Sequence, residues 1–473
     1  RDGTAHPLVV ADVMGDVFGD CAAELADAYD NLVLSHGRQV IVRTGARGRL
    51  GVVAVDVDTA CVRTLLDGPR ACTPVAVADG LLVFTRQAPD SYPELATVDR
   101  DAGGERLLLA FADDDAASAV DVDRFVVASP DGWELDAWFV SPRGAGRPLP
   151  SVVVVHGGPH FTYGEAFSLD VQALCAAGFG VLYTNPRGST GYGDEFAHAV
   201  HGDWAHGPSR DLLAVVDEAV ARGWVDPDRL GITGNSYGGY LAAWLASTTT
   251  RFAAAVIENP VTDLLGMYGT SDIGRRFFPA QLGGPPSAAI DAYVEQSPLL
   301  QAHRCRTPCL FVTGDLDRRC PPGQAWAMHR VLCEVATPSE VLVLPGSSHE
   351  GSTYGPPAGR IAHDAALVEW MRAWLTGLDD VEPTPPIVYS ATWCGHCVRL
   401  KAQLTRAGIA YREIDVDADP SVLPKLEDLN GGEWIIPTVE FADGSALVNP
   451  SAAAVAQRLR ESGGPRGLSL PEG

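Results

Sequence analysis

One short segment limits the possible folds of this chain more than any other. Residues Leu230–Tyr240 contain a serine, Ser236, flanked by Gly234 and Gly238. The apolar residues before it predict a buried strand, and the apolar run from Leu241 onward predicts a helix. A G-x-S-x-G sequence between strand and helix is typical of a nucleophile elbow, a sharp turn that exposes the serine hydroxyl at the end of a sheet. The segment therefore predicts an α/β fold with a nucleophilic serine.

Such a serine needs a base and an orienting acid, which follow it in the order Ser, Asp, His in α/β-hydrolases. Downstream, one apolar strand ends in a glycine followed by Asp315 and Asp317, and a later strand leads into a loop that carries His349. In open α/β sheets, residues after the carboxyl ends of strands build the active site. Ser236 would attack a carbonyl, His349 would take its proton, and one of the two carboxylates would hold the imidazole. The alternative for His349 is a surface loop histidine without a catalytic role.

A third apolar strand ends in a glycine pair within Val152–His160. Such a loop offers a backbone N–H to a developing oxyanion, beside the N–H of the residue after the nucleophile. Gly158 and Tyr237 are therefore the predicted oxyanion-hole donors. The alternative is a tight turn that only packs.

Several strings occur in order along this part of the chain: His156-Gly-Gly-Pro159, Asn185-Pro-Arg-Gly-Ser-Thr-Gly-Tyr-Gly193, Gly202-Asp-Trp204, Gly234-Asn-Ser-Tyr-Gly-Gly-Tyr240, Gly269-Thr-Ser-Asp-Ile-Gly274 and Ser348-His-Glu350. With them, residues from about 120 to 376 resemble the catalytic domain of the prolyl oligopeptidase family, specifically its acylaminoacyl-peptidase branch. The resemblance places the acid three residues after the glycine that ends the strand, which selects Asp317 and makes Asp315 a turn residue. It implies hydrolysis of short or N-terminally blocked peptides through an acyl-enzyme.

A second module follows an acidic, proline-rich stretch, 377–386, whose composition is expected of a linker. Cys394 and Cys397 form a C-x-x-C pair between a predicted strand and a predicted helix. A helix N-terminus favours the thiolate of a cysteine placed there, and the second cysteine can resolve a mixed disulfide. Half of a zinc site is the alternative. The predicted elements have the order of a small thioredoxin-like fold: strand 387–390, helix 395–407, strand 411–415, helix 420–430, strands 437–441 and 445–448, and helix 451–460.

The strings of this module are Tyr389-Ser-Ala-Thr-Trp-Cys-Gly-His-Cys397, Arg399-Leu-Lys401, Asn430-Gly-Gly432, Ile436-Pro-Thr-Val439, Phe441-Ala-Asp-Gly-Ser445 and Asn449-Pro-Ser451. They are similar to the glutaredoxin family, most closely the mycoredoxins. The resemblance implies a cis Pro437 facing the cysteine pair, and contacts of Pro437, Thr438, Val439, Asn449 and Ser451 with a thiol substrate. Ser451 is also expected to cap the last helix. The loop 449–451 departs from the glutathione-binding pattern of glutaredoxins, which favours mycothiol over glutathione as the low-molecular-weight thiol co-substrate.

The N-terminal region has a different pattern. Residues 31–110 alternate short apolar runs with Gly, Asp and Pro turns, which predicts an all-β unit of about eight to ten strands. Because the prolyl oligopeptidase family has a β-propeller at this position, residues 1–118 are predicted to be an N-terminally truncated propeller of about two to three blades. A hairpin over 121–140 would lead into the hydrolase domain, 119–376.

The fold class predicted for the whole chain is therefore multidomain. It combines a partial β-propeller, a doubly wound α/β-hydrolase and a small glutaredoxin-like α/β domain over 387–462, with a flexible tail over 463–473. The length of 473 residues agrees with several domains, because it exceeds what one core usually organises.

Composition excludes several classes of partner. A net charge of −25 argues against binding to nucleic acids or anionic membranes, and no apolar run reaches the roughly 18–20 residues of a membrane span. Ten cysteines are too few for a disulfide scaffold, and their spacing predicts no metal site. The sequence thus predicts a cytoplasmic protein that acts on peptides and on mixed disulfides, without a tightly bound cofactor, and leaves its oligomeric state open.

Three functions compete at this point. The first is a serine peptidase of the acylaminoacyl-peptidase type fused to an active redoxin. The second is an esterase or another acyl hydrolase, because a fold and a triad do not fix the leaving group. The third is a redoxin for which the hydrolase part serves as a scaffold. The propeller remnant and the family strings favour the first over the second, and the intact Ser–Asp–His set argues against the third. Whether the redoxin regulates the peptidase or the fusion is accidental stays open.

Overall fold

The structure is a computed structural model, which describes residues 34–36, 38–78, 80–99, 103–110, 119–376, 385–407, 409–441 and 444–461. These residues fall into two compact units: the described residues up to 151, with 158–200 and 206–225, form the first, and 152–157, 201–205 and the described residues from 226 onward form the second. The predicted tail, 463–473, and most of the predicted linker lie outside the described residues. The predicted domain boundaries stay predictions.

The first unit contains the predicted all-β region. Its strands are β1 (Leu34–His36), β2 (Gln39–Ala46), β3 (Arg49–Asp56), β4 (Val62–Leu66), β5 (Ala71–Ala78), β6 (Leu81–Ala88), β7 (Ser91–Asp99) and β8 (Gly103–Ala110). Strands β1 to β4 pair antiparallel in chain order, as do β5 to β8, and β3 pairs parallel with β5, so that two four-stranded meanders join in one eight-stranded, propeller-like sheet. Alternate residues of the strands, such as Val52, Leu82 and Phe84, point into one apolar core.

The first unit also holds the start of the predicted hydrolase. Strands β9 (Val120–Ala128) and β10 (Glu134–Pro142) form the predicted hairpin, closed by a hydrogen bond of 3.0 Å from the Trp133 N–H to Ser129 Oγ. Strand β11 (Leu149–Val155) runs from the first unit into the second, and β12 (Gly180–Thr184) pairs with β10. The helices of this part are α1 (Leu169–Ala176), α2 (Asp194–His198) and α3 (His206–Ala221).

The second unit contains four parallel strands that position the candidate active site. They are β13 (Val225–Asn235), β14 (Ala254–Glu258), β15 (Cys309–Gly314) and β16 (Ser339–Leu344), paired in that order. Strands β14 and β15 are buried along their whole length, which explains why all but their last one or two residues are apolar. The helices are α4 (Tyr237–Thr248), α5 (Leu264–Thr270), α6 (Gly274–Gln281), α7 (Pro286–Glu295), α8 (Pro298–Gln301), α9 (Gly323–Glu334), α10 (Gly351–Tyr354) and α11 (Pro357–Thr376). None of the helices in the described ranges has the length and apolarity needed to cross a membrane.

The C-terminal module has the predicted thioredoxin-like order. Its elements are β17 (Ile387–Ser390), α12 (Gly395–Arg406), β18 (Tyr411–Asp415), α13 (Leu423–Leu429), β19 (Thr438–Glu440), β20 (Ala446–Val448) and α14 (Ala452–Glu461). The sheet runs β18-β17-β19-β20, with β17 and β18 parallel and the other pairs antiparallel. The predicted helix 420–430 is split, with a 3₁₀ turn over Pro420–Val422 before α13. Pro424 lacks the N–H that a continuous helix would donate to the Pro420 carbonyl, which accounts for the break.

Strand β18 of this module also pairs with β16 of the hydrolase part. The pairing is antiparallel and aligns Val341 with Glu413 and Val343 with Tyr411. Arg412, between them, is 8 % exposed and forms ion pairs of 3.3 Å with Glu340 and 3.8 Å with Glu369. The strands of the second unit therefore form one continuous sheet from β13 to β20.

A buried histidine near this junction makes stability depend on pH. His329 on α9 is 2 % exposed, and its Nδ1 lies 2.9 Å from Ser339 Oγ at the start of β16. Burial lowers the pKa of His329 from 6.5 to about 4; the charges of Asp415 and Asp419 oppose the shift, and Arg330 adds to it. Below pH 6.5, His329 binds a proton in the unfolded chain, whereas in the native chain it binds one only near pH 4. Acid therefore favours the unfolded state in this range.

We therefore expect the stabilising contribution of neutral His329 to be complete above pH 6.5 and to disappear as the pH falls toward 4. By pH 5 the loss amounts to about 2 kcal/mol. Urea unfolding of the wild type and of His329→Gln at pH 7 and pH 5 measures it. The variant keeps a neutral polar side chain, so its unfolding free energy should change less between the two pH values. Equal changes in both proteins would contradict the assignment.

Candidate active sites

Ser236 occupies the predicted elbow between β13 and α4. Its backbone has φ 62° and ψ −116°, a strained conformation for a residue with a side chain. A Cβ atom added to Gly234 would lie 2.4 Å from the Val155 carbonyl oxygen, and one added to Gly238 would lie 2.0 Å from the same atom. Only glycines fit this close approach of the elbow to the end of β11, and the G-x-S-x-G sequence therefore permits the sharp turn.

Asp317 and His349 meet at the carboxyl ends of the neighbouring strands β15 and β16. His349 Nδ1 lies 2.8 Å from Asp317 Oδ2. The Asp317 side chain is fully buried, and its second oxygen accepts the N–H groups of Arg319 at 2.8 Å and Cys320 at 2.9 Å. Asp315 instead accepts the N–H of Gly346 at 2.7 Å, as a turn residue does. The structure thus pairs His349 with the acid that the family resemblance selects.

The same neighbours control the charge of His349. Burial disfavours the imidazolium, but the charges and hydrogen bonds of Cys320 and Asp317 favour it more and raise the pKa of His349 overall. During acyl transfer a general-base histidine takes the serine proton and becomes an imidazolium. The surroundings of His349 stabilise that charged form.

Ser236 is the third member of the predicted triad, and its hydroxyl should contact His349. Among the residues that the structure describes, no hydrogen bond links Ser236 Oγ to His349. Catalytic hydrogen bonds are often long in ligand-free sites and tighten when substrate binds. The structure therefore brings acid and base together, whereas the serine–histidine contact stays a prediction.

The predicted oxyanion-hole donors have suitable local geometry. Gly158 has φ +112°, and a Cβ atom there would lie 2.4 Å from the His160 nitrogen, so a side chain does not fit. Tyr237 is the first residue of α4, at the helix end that favours negative charge. Gly158 belongs to the first unit and Tyr237 to the second, and their joint role stays a prediction.

The C-x-x-C pair lies at the start of α12. Cys394 is the N-cap residue, and its Sγ accepts the Cys397 N–H at 3.2 Å and lies 2.6 Å from Cys397 Sγ. Both cysteines are free thiols. Burial and the hydrogen bond to Cys394 raise the pKa of Cys397 to about 12. The two cysteines therefore differ in their surroundings: Cys394 lies at the helix N-terminus, and Cys397 lies buried in the first turn with its thiol protonated.

The loop before β19 faces this pair. The Ile436–Pro437 peptide bond is cis, as the family resemblance implied, and Cys394 Sγ lies 3.8 Å from the Ile436 carbonyl oxygen. The Asn449 N–H donates to the Pro437 carbonyl at 2.7 Å. The Ile436 carbonyl therefore lies beside the first cysteine, and the Asn449 hydrogen bond fixes the next peptide group of the same loop.

The other predicted thiol contacts differ in accessibility. Thr438 and Val439 are fully buried, and the Thr438 hydroxyl donates to the Ile435 carbonyl at 2.8 Å. A contact from these two residues to a thiol substrate would therefore use backbone groups rather than side chains. Ser451 Oγ accepts the Ala454 N–H at 3.2 Å and caps α14 as predicted.

Two family models match this chain. Residues 165–377 match the prolyl oligopeptidase family, and residues 387–444 match glutaredoxin. The chain contains a prolyl oligopeptidase family domain followed by a glutaredoxin domain.

Proteins of known sequence or structure are similar to large parts of this chain. The chain is 36 % identical over 246 residues to the uncharacterized peptidase YuxL of Bacillus subtilis, an alignment that covers 51 % of this chain and 37 % of YuxL. It is 32 % identical over 212 residues to the acylamino-acid-releasing enzyme of Arabidopsis thaliana, over 43 % of this chain and 28 % of that enzyme. The structure of the Pyrococcus horikoshii acylaminoacyl peptidase is similar with a TM-score of 0.68 and 26 % identity, over 75 % of this chain and 58 % of that one. The chain thus spans less than two thirds of each of these proteins.

Below the elbow of the prolyl oligopeptidase family domain lies a buried ionisable pair that the sequence pattern did not indicate. The Glu258 backbone carbonyl accepts the Ser236 N–H at 3.0 Å, while its carboxylate accepts the Thr233 hydroxyl at 2.6 Å and lies 2.9 Å from His363 Nε2. Burial raises the pKa of Glu258, but the charge of His363 and the hydrogen bonds outweigh it and lower the pKa overall. The pair fixes the residue that holds the Ser236 backbone.

Asn259 connects the three loops of this domain that carry the triad residues. Its side-chain amide donates to Asn235 Oδ1 and to the His349 carbonyl, both at 3.0 Å, and its oxygen accepts the Gly314 N–H at 3.1 Å. Its φ of 38° is a left-handed conformation that asparagine adopts more readily than most residues. Asn259 follows β14, and no motif marks it, because its partners are far apart in sequence.

We expect Asn259→Ala to lower kcat/KM about 10- to 100-fold, because small misplacements of catalytic groups have effects of this size. Asn259→Asp is the matched control: it tolerates the backbone conformation and keeps the acceptor for Gly314, but loses both donated hydrogen bonds. If the donors position the triad, both variants lose kcat. Full kcat in the aspartate variant would show that Asn259 serves the turn alone.

Proposed function

We propose that the prolyl oligopeptidase family domain is a serine peptidase that cleaves short or N-terminally blocked peptides. The observation that carries the proposal is the 2.8 Å hydrogen bond between His349 Nδ1 and Asp317 Oδ2, formed on the two loops that follow the elbow strand in the order expected of an α/β-hydrolase. The relatives include enzymes named for releasing acylamino acids, which supports a blocked N-terminus as the substrate feature.

In the proposed mechanism, Ser236 Oγ attacks the scissile carbonyl carbon while His349 accepts the hydroxyl proton. The backbone N–H groups of Gly158 and Tyr237 would stabilise the oxyanion. Collapse of the tetrahedral intermediate breaks the C–N bond, and the imidazolium gives its proton to the leaving amine. Water then attacks the acyl-enzyme with the same proton transfers, which restores Ser236 and releases the acid.

The test compares two leaving groups on the full chain. Chromogenic N-acyl-amino-acid anilides are set against p-nitrophenyl esters of the same acids. The proposal expects amide cleavage, faster for acylated than for free N-termini. Cleavage of esters without any cleavage of amides would favour the esterase alternative.

For the glutaredoxin domain we propose reduction of mixed disulfides between proteins and a low-molecular-weight thiol, mycothiol rather than glutathione. The position of Cys394 as the N-cap of α12, with its Sγ accepting the Cys397 N–H, supports this. Cys394 would attack the sulfur of the low-molecular-weight thiol, and the protein thiolate would leave. A second low-molecular-weight thiol would then attack this mixed disulfide, which forms the symmetrical disulfide of that thiol and regenerates the Cys394 thiolate. Alternatively, Cys397 would attack Cys394, which expels the bound thiol and leaves a Cys394–Cys397 disulfide for a further pair of low-molecular-weight thiols to reduce. Such chemistry belongs in a reducing compartment, and we propose the cytoplasm.

This second activity is tested with one protein disulfide prepared with each thiol in turn. The proposal expects faster reduction of the mycothiol adduct than of the glutathione adduct. The opposite preference would exclude mycothiol as the favoured co-substrate.

A further inference from the structure

The proposed peptidase mechanism does not use the thiol of Cys320, although it lies beside the catalytic base. Cys320 is 2 % exposed. The turn in which Asp317 accepts the N–H groups of Arg319 and Cys320 places this thiol next to the Asp317–His349 pair. One ligand atom each of Asp317, Cys320 and His349 lies within 4.8 Å of the other two. A carboxylate, a thiol and an imidazole therefore converge at one point.

These three groups are a zinc ligand set. Zinc binds thiolate, imidazole and carboxylate ligands in tetrahedral sites, and a tetrahedral ion with these ligands has ligand atoms about 3.4–3.6 Å apart. Side-chain movements of about 1 Å would bring the three atoms to that spacing. Thiolate and imidazole ligands favour zinc over magnesium or calcium. Three protein ligands leave the fourth position to water, as in many zinc sites.

We propose that Asp317, Cys320 and His349 form a binding site for Zn²⁺, and that the zinc-bound state is inactive as a peptidase. A neutral imidazole has one nitrogen lone pair, and a ring that gives it to zinc cannot accept the Ser236 proton. Zinc binds cysteine as the thiolate and histidine as the neutral imidazole, so metal binding displaces the protons that these two groups carry. The inhibitory effect depends on the proposed peptidase function, whereas the binding itself does not.

The burial of the ligands differs in a way that suits reversible binding. The Asp317 side chain is fully buried, and the His349 side chain is 13 % exposed. The ion would thus reach the site from the side of the imidazole, the side that a peptide must also approach. Zinc and substrate would therefore exclude each other.

Cobalt titration of the full chain tests the site without relying on activity. All proteins carry Ser236→Ala, and Cys394→Ser with Cys397→Ser to remove the competing cysteine pair. Co²⁺ at a thiolate ligand gives a sulfur-to-metal charge-transfer band, and tetrahedral Co²⁺ gives intense visible bands. In this background Cys320→Ala and Cys320→Ser are compared with Cys175→Ala, a control that removes another buried thiol. His349→Gln removes a second ligand while keeping the Cys320 thiol.

The proposal expects one Co²⁺ per chain with both sets of bands, displacement by Zn²⁺, and at least tenfold weaker binding in both Cys320 variants and in His349→Gln. The Cys175 variant should bind like its parent. Identical bands in the Cys320 variants, or no bands in the parent at several equivalents of metal, would overturn it. Far-ultraviolet circular dichroism confirms that each variant is folded before titration.

A second measurement concerns inhibition. If amide cleavage is found, Zn²⁺ should inhibit the chain with intact Ser236, a chelator should restore activity, and Cys320→Ala should need at least tenfold more zinc for half-inhibition relative to its own metal-free rate. Cobalt binding at Cys320 without zinc inhibition of an active peptidase would overturn the inhibitory part. A chain without peptidase activity that still binds cobalt at Cys320 would refute the proposed function and leave the metal site standing.

Discussion

Replacing Ser236 with alanine is expected to reduce amide hydrolysis by about 10⁴- to 10⁶-fold, the largest effect of any single change in this chain. The reason is that no other group can form the acyl-enzyme at the elbow, whose backbone conformation at φ 62° aims one side chain only. Initial rates on an N-acyl-amino-acid anilide measure the effect. Unchanged hydrolysis in Ser236→Ala would refute the triad assignment.

Two neighbouring carboxylates provide a matched control for the same prediction. Asp317 binds His349, whereas Asp315 only accepts the Gly346 N–H. Asp317→Asn should lower kcat about 10⁴-fold, because the amide would hold the wrong imidazole tautomer. Asp315→Asn keeps a turn acceptor and should retain kcat. Equal losses in both would mean that the loop, rather than the acid, is responsible.

The second large effect is expected for the redoxin. Cys394→Ser should slow the reduction of a mixed disulfide between a protein and a low-molecular-weight thiol to the uncatalysed rate, because serine cannot form the disulfide intermediate. The appearance of the free protein thiol from a defined adduct measures this. Cys61→Ser is the control, since Cys61 is an exposed free thiol outside the pair. Activity that survives in Cys394→Ser would place the reaction at another cysteine.

Cys397→Ser then separates two routes. Retained activity would indicate a monothiol route in which a second low-molecular-weight thiol attacks the Cys394 adduct. Loss of activity would indicate a dithiol route, with Cys397 as the resolving thiol. In that case the burial that raises the pKa of Cys397 to about 12 must be relieved once the adduct forms.

The parts of these sites that the sequence predicts are those in which the cause is local. The elbow at Ser236 depends on glycines two residues away, and the C-x-x-C pair depends on the helix that begins beside it. Asp317 and His349 follow strands whose apolar runs are visible in the sequence, and parallel pairing of those strands brings them together. Short-range patterns locate each of these residues, whereas the choice of Asp317 over Asp315 depends on the family resemblance.

The rest depends on contacts between distant segments. Asn259 is indistinguishable from any turn residue until β13, β15 and the His349 loop converge on it. Cys320 has no metal-type spacing because its partners come from two different loops. The pairing of β18 with β16 could not be predicted from either strand, because it is formed by backbone N–H and C=O groups, which are the same in every strand.

That last pairing has a consequence for the solubility of the larger domain. An uncovered strand at the edge of a sheet offers its backbone groups to strands of other molecules and promotes aggregation. Residues Val341–Val343 on β16 are buried and apolar, and β18 occupies their outer side. The glutaredoxin domain thus covers an edge strand that would otherwise promote aggregation of the larger domain. Because both domains belong to one polypeptide, the covering strand is always available.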